Sequence, residues 1–313
     1  MWQCRCLWGL VIFNDCSDDA PIRTFAQSLP PLRHPSFSMT TALVEPWIAI
    51  PTTLRHPSFS MTTALIGHSG FVGSNLLSHR SYDSLYRSSN IDTIRGRSFG
   101  HVVCAGVQAL KWRANLHPDE DSGGIARLRD PLSEITAERL TLISTIDVYP
   151  VPQAVDEDSV IDRGHHHAYG LHRLEFEDWV KDHFPKVLVL RLPGLFGPGL
   201  KKNVIFDMLH DNGLDKIHPE GVFQYYDLKH LAGDIDRAWE LGLGLLNVSC
   251  APLGTGEIRD RFFPGKALGA SGPAPAGYDM RSKHAAAFGG VDGYLYGKEQ
   301  VIADLGSWLH LKK

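Results

Sequence analysis

The stretch MTTALIGHSGFVGSNLLSH, residues 61–79, decides the fold. Thr63 to Ile66 is a short apolar run of strand type. Gly67-His68-Ser69-Gly70-Phe71-Val72-Gly73 is a G-x-x-G-x-x-G turn, and the residues after it follow a helical apolar pattern. Between a strand and a helix each glycine has its own physical reason. The first permits the tight turn, the second lets backbone approach a pyrophosphate, and the third lets the helix pack closely on the strand. The helix N-terminus then offers free N–H groups and the positive end of its dipole to phosphates. Gly67, Gly70, Phe71, Val72 and Gly73 are therefore candidate dinucleotide-binding positions.

Downstream, DSLYRSS, HVVCAGV, RLTLISTIDVY and KVLVLRLPGLFG are apolar runs short enough for buried parallel strands, separated by polar or amphipathic segments. Alternating strand and helix predicts an α/β protein, a Rossmann-type doubly wound parallel sheet with its ligand at the carboxyl ends of the strands. An acid that holds a ribose 2′-hydroxyl is expected about 20 residues beyond the glycines. That region instead reads Tyr86-Arg87-Ser88-Ser89-Asn90, with Asp92 arriving late. Arg87 and the serines suit a 2′-phosphate, which inclines the reading from NAD to NADP; a plainly exposed arginine is the alternative.

Upstream, LRHPSFSMTTAL occurs at residues 32–43 and again at 54–65, and only the second copy runs into the glycine turn. Two copies of so short a segment do not make a solenoid. Residues 1–60 contain Pro21, Pro30, Pro31, Pro35, Pro46, Pro51 and Pro57 and sustain no helical or alternating period. They are expected to be a poorly ordered extension carrying a duplicated segment, or an artefact of the gene model, with Met61 as the natural start. The expected division is thus residues 1–60, a dinucleotide-binding core over 61–200, and remaining core elements with a smaller C-terminal substrate lobe over 201–313.

With 31 Lys+Arg against 35 Asp+Glu the formal net charge is −4, so no global field attracts nucleic acid or an anionic membrane. No apolar run reaches the ~20 residues that cross a bilayer. Cys4, Cys6, Cys16, Cys104 and Cys250 lack metal-site spacing and suit reduced thiols in the cytoplasm.

Four patterns in order, G-x-x-G-x-x-G, S-T-x-x-x-Y at Ser144–Tyr149, Y-x-x-x-R at Tyr169–Arg173 and R-L-P-x-x-F-G-P-G from Arg191, resemble the extended short-chain dehydrogenase/reductase superfamily, in particular its NAD-dependent epimerase/dehydratase branch. The resemblance covers about Thr62 to Gly199 well and the remainder loosely. It implies an NAD(P)-dependent enzyme working by hydride transfer on a small polar substrate, a nucleotide sugar or another carbonyl compound. Thr145 would hold the substrate oxygen and Tyr169 would be the acid or base. Cys104, Ala105, Gly106 and Pro193 would line the cofactor. Homodimerisation is usual in such proteins.

The family has lysine where this chain has Arg173. A tyrosine ordinarily ionises near ~10, so a base near neutrality needs a cation that favours phenolate. Tyr169 and Arg173 are i and i+4 on one helix face, and the resemblance implies that Arg173 takes over the ribose contact and biases Tyr169. Arginine keeps the charge, but its planar fork sits differently from an ammonium. A non-catalytic dinucleotide sensor or scaffold of the same fold is the competing reading.

Lys201, Lys202 and Asn203, then Gln224, Tyr225 and Asp227, and finally Arg281 are candidate substrate contacts, the basic ones for an anionic group. His165, His166 and His167 are read as a loop near the pocket mouth rather than a metal site, since three adjacent rings cannot all point one way. Pro252 to Gly277 is read as loop, and KEQVIADLGSWL as a closing amphipathic helix.

Overall fold

The computed structural model describes residues 62–272 and 274–311 and, before them, one antiparallel pair of short strands, Cys6–Leu7 with Leu10–Val11. The chain divides into two units, Met1–Leu54, which holds that pair, and Arg55–Lys313. The extension, duplication and start expected for residues 1–60 otherwise lie outside the described residues.

In the larger unit β1 (Thr63–Ile66) turns through the glycines into α1 (Phe71–His79), β2 (Ser84–Tyr86) and β3 (Ser98–Cys104). Then come α2 (Lys111–Leu116), α3 (Pro118–Leu132), β4 (Thr136–Thr145), β5 (Gln153–Val155), α4 (Ala168–His183) and β6 (Val187–Leu192). The second half contributes β7 (Gly194–Phe196), α5 (Val204–Leu209), β8 (Val222–Phe223), β9 (Tyr225–Asp227), α6 (Leu231–Glu240) and β10 (Leu245–Asn247). It closes with β11 (Leu253–Gly254), α7 (Thr255–Phe262), β12 (Asp279–Met280) and α8 (Lys298–His310).

Six strands form one parallel sheet in the order β10-β6-β4-β3-β1-β2. Side chains alternate across a strand, so a sheet covered on both faces buries successive residues in different cores. Leu65, Val103, Leu188 and Leu190 lie in one core with Leu76 of α1, Ile235 of α6 and Leu305 of α8. Ala64, Ile66, Val102 and Val189 lie in the other with Leu132 of α3 and Val180 of α4. This is the expected doubly wound arrangement.

Strand order reverses at β1: the chain steps outward to β2 and returns on the other side of β1 as β3. Open α/β sheets bind ligands at the carboxyl ends of such a pair. A parallel connection usually needs a helix, yet only residues 87–97 link β2 to β3, with a 3-10 turn at Ile91–Ile94 whose two isoleucines enter the core. β2 is therefore a short sheet edge.

The closing helix forms as expected, whereas the segment Pro252–Gly277 is not all loop. Thr255–Phe262 is helical, with Glu257 in its first turn and Arg259 and Arg261 in its last, charges that complement the helix dipole and outweigh the local glycine density.

The two flanking glycines of the turn are fixed by crowding. A Cβ on Gly67, whose φ is +84°, would lie 2.3 Å from the Ala105 carbonyl oxygen, and one on Gly73 would lie 2.2 Å from that of Gly67. On Gly70 it would meet only the Gly67 oxygen, at 3.3 Å. Gly73→Ala is expected to destabilise the fold by about 2–3 kcal/mol, and Gly70→Ala by less than about 1 kcal/mol. Urea unfolding of both variants checks the difference, and equal midpoints would contradict it.

Candidate active site

The carboxyl ends of β1, β2 and β3 are tied together. Gly67 and His68 donate backbone N–H groups to the Tyr86 carbonyl at 2.8 and 3.4 Å, and Ala105 donates to Ile66 at 2.9 Å. Gly70 is exposed, and α1 begins with no side-chain cap and no acid in its first turn. Phe71 and Val72 pack against the core beneath. Open space over unclaimed donors at a positive dipole end fits a pyrophosphate. Gly106 is small for packing as well, since a Cβ there would lie 3.0 Å from Ile66 Cγ2. Cys104 is buried and its thiol is pushed up to about 11, which leaves it unreactive. Pro193 is buried between β6 and β7. At the end of β2, Arg87 is exposed, and its Nε donates to Ser89 Oγ at 2.9 Å.

Thr145 ends β4, and Tyr169 lies in the first turn of α4. The Thr145 hydroxyl is close enough to the Tyr169 phenol to favour its ionised form. Gly170 permits this approach: a Cβ on it would lie 2.0 Å from the Asp147 carbonyl oxygen. Thr145 Oγ1 also accepts the Asp147 N–H at 3.2 Å. Burial pushes the Tyr169 phenol up and Asp147 adds to this; the Arg173 charge and the Thr145 hydroxyl offset it only in part. Tyr169 therefore carries its proton at neutral pH.

Arg173 is not free for a ribose. Nη1 donates to Asp121 Oδ2 at 2.7 Å and to the Tyr169 carbonyl at 2.8 Å, while Nη2 donates to Asp121 Oδ1 at 2.9 Å and to the Gln108 carbonyl. All four terminal N–H groups are engaged, and the guanidinium lies 3.7 Å from the centre of the Tyr169 ring, over its face. Asp121, on α3, also meets His172 Nδ1 at 2.8 Å. The arginine fork holds a carboxylate bidentately in a way a lysine does not, which is the physical content of the substitution.

A second ion pair lies one helical turn on. Arg191 of β6 grips Glu177, both buried, with Nη2 to Oε2 at 2.7 Å, and donates to the Tyr149 hydroxyl at 2.8 Å. Ser144 donates to Glu177 as well. Ser144 and Tyr149 of the S-T-x-x-x-Y pattern thus serve this network.

On the other side of Thr145, Lys111 Nζ lies 2.6 Å from Asp147 Oδ1, and the Tyr278 hydroxyl lies 3.3 Å from the same oxygen. The three histidines diverge as expected. His165 meets Asp162, His166 meets the Val148 carbonyl, and His167 caps α4 by accepting the Gly170 N–H at Nδ1, which leaves the proton of its neutral ring on Nε2. Burial and the Lys111 charge lower the His167 pKa, so the ring is neutral at pH 7.

Several expected substrate contacts have structural duties instead. Asn203 caps α5, accepting from the Phe206 N–H at 3.0 Å and donating to Leu195 at 2.9 Å. Buried Gln224 joins the Cys250 carbonyl and both backbone groups of Met280. Asp227 accepts the Lys229 N–H at 3.0 Å. Tyr225 is buried, its hydroxyl without a partner among the described residues and its pKa raised by that burial. Arg281 pairs with Asp279 at 2.8 Å and lines a cavity of about 440 Å³ with Asp156 and Lys283, to whose lining Thr145 and Tyr169 do not belong. Lys201 is exposed, and Lys202 reaches across to the Ala109 carbonyl in the loop after β3. Sequence reasoning missed Lys111, Asp121, Asp147 and Tyr278, whose partners lie far away along the chain.

The same fold occurs in several solved structures at low sequence identity. A dTDP-4-dehydrorhamnose reductase from Clostridium acetobutylicum superposes with a TM-score of 0.61 at 15% identity, over 80% of this chain and 99% of the other. The Bordetella bronchiseptica enzyme WbmG, seen in complex with NAD and UDP, gives 0.60 at 18% identity over 82% and 96%. A UDP-glucose 4-epimerase from Thermotoga maritima gives 0.55 at 14% identity over 70% and 90%. No protein-family model and no curated protein sequence matches the chain.

Burial pushes the Asp121 carboxyl up, but its bonds to Arg173 and His172 outweigh that and hold it below the ordinary value. A carboxyl so lowered stabilises the fold above its unfolded value near ~3.9, and that contribution fades as pH falls through the folded value. Asp121→Asn is expected to remove about 3–5 kcal/mol at pH 7 and to flatten the acid limb of the stability profile below about pH 4. Urea unfolding across pH measures both; an unchanged midpoint would show that Arg173 has another anchor.

Proposed function

We propose that this protein is an NAD(P)-dependent enzyme of reductase, epimerase or dehydratase type, acting by hydride transfer on a small polar substrate of the nucleotide-sugar class. The observation that carries the reading is the neighbouring Thr145–Tyr169 pair at the end of β4, in the same sheet as a glycine turn that fits a pyrophosphate. The comparison structures support the substrate class, being a dTDP-sugar reductase, a UDP-glucose epimerase and an enzyme seen with NAD and UDP.

Reduction suits these residues best. The nicotinamide, when bound, supplies the hydride. Thr145, fixed by the Asp147 N–H, orients the substrate oxygen, and Tyr169 gives that oxygen its proton. Because burial outweighs the Arg173 charge, the phenol stays protonated, as an acid should before it acts. Exposed Arg87, in the place of an acid, favours NADP over NAD. Free, buried Cys104 and Cys250 suit the cytoplasm, and no helix among the described residues is long and apolar enough to cross a membrane. The same Arg173–Asp121 pair supports a second reading, a sensor that binds dinucleotide without turnover.

Tyr169→Phe is expected to lower NADPH-dependent reduction of a nucleotide 4-ketosugar by about a hundredfold or more while leaving dinucleotide affinity unchanged. Steady-state rates together with a binding titration check this, and unaltered turnover would remove Tyr169 from the chemistry. Arg87→Ala is expected to weaken NADPH about tenfold and NADH hardly at all; equal losses would place Arg87 away from the 2′ position.

A further inference from the structure

Lys111, Asp147 and Tyr278 come from α2, the turn after β4 and the segment before β12, and they converge beside Thr145. Lys111 Nζ and Asp147 Oδ1 are 2.6 Å apart, and the Tyr278 hydroxyl lies 3.4 Å from the first and 3.3 Å from the second. None of the three side chains donates or accepts the proton in the step described above; Asp147 enters it through its backbone N–H to Thr145 and through its charge. Both contacts of the carboxylate fall on Oδ1, so Oδ2 is left for a ligand among the described residues. The Tyr278 ring stacks on Phe223, centroids 5.6 Å apart and planes 26° from parallel. His167 contributes an Nε2–H donor, and its ring feels the charges of both Lys111 and Asp147.

We propose that this cluster is the subsite that selects the substrate, and that it takes an uncharged polyhydroxylated ring. Asp147 accepts from two neighbouring hydroxyls, and Lys111 and His167 donate to the same ring. Its C–H face lies against the Phe223–Tyr278 stack. A carboxylate paired to an ammonium forms strong charge-assisted bonds with hydroxyls. Both contacts of the Asp147 carboxylate fall on Oδ1, so Oδ2 repels a sugar carboxylate, and a neutral hexose is preferred over a uronic acid. The stack supplies the apolar wall of such a pocket. The proposal rests on the assignment of this crevice to a nucleotide-sugar enzyme.

The test is calorimetric titration of the full 313-residue chain with NADP⁺, and then, in its presence, with UDP, UDP-glucose and UDP-glucuronic acid, with dTDP and dTDP-glucose alongside. At least one neutral glucosyl nucleotide is expected to bind about tenfold tighter than its parent nucleotide. Asp147→Asn and the milder Tyr278→Phe, which keeps the stacked ring, are expected to cut that advantage to below about threefold without altering NADP⁺ or parent-nucleotide affinity. A sugar advantage that survives both variants would overturn the proposal. So would the absence of any such advantage, or a preference for the uronic acid, while NADP⁺ still binds. Failure of NADP⁺ and every nucleotide to bind would instead bring down the assignment of the crevice, and the subsite with it.

Discussion

Helix α4 meets the molecule through buried charge, and the rest of the site depends on how that charge is paired. Tyr169, Arg173 and Glu177 follow one another at single-turn spacing on the inward face. Arg173 is closed by Asp121 of α3 and Glu177 by Arg191 of β6. Desolvating such pairs offsets much of their attraction, so their net contribution to stability is modest. Removing one partner is another matter, since it strands a charge in a place water does not reach. The two pairs therefore fix the register of α4 against α3 and the sheet, and that register brings Tyr169 to Thr145. Gly170 completes the approach by leaving room for the Asp147 backbone.

The same pairing shapes the chemistry. A lysine at residue 173 would be a point charge able to turn toward a ribose. The arginine is held as a plane over the Tyr169 ring, with its terminal donors engaged by Asp121 and two carbonyls. Its charge is shared with Asp121 before it reaches the phenol oxygen. Burial outweighs what remains of that charge at the phenol and keeps Tyr169 protonated.

The fold was legible because its signals are local. The glycine turn, the apolar runs of β1, β3, β4 and β6, and the start of α4 at Tyr169 are each set by residues close in sequence, and each lies where the pattern predicts. The pairing of Thr145 with Tyr169 was reachable through the family resemblance. What escaped depends on separation along the chain. Asp121 reads as one more acid in the first turn of α3, and nothing near it marks Arg173 as its partner. Lys111 and Tyr278 are brought together only by the pairing of β12 with β5. Asn203 and Gln224 look like ligands for substrate until their amides are seen holding backbone, because a polar side chain serves a helix cap or a buried carbonyl as readily as a bound molecule. The second copy of the repeated segment was informative for the same local reason: it alone is followed by a turn that a sheet can use.

The most direct measurement is the thermal stability of the protein with NAD⁺, NADH, NADP⁺ and NADPH in turn, because a ligand that binds only the native state raises the melting temperature. At about a hundredfold excess over its dissociation constant, NADPH should raise it by roughly 5 °C or more, with NADH giving less at the same concentration. No rise with any of the four would mean that the glycine turn is only architecture, and the crevice would have to be reassigned to a ligand other than a nicotinamide dinucleotide.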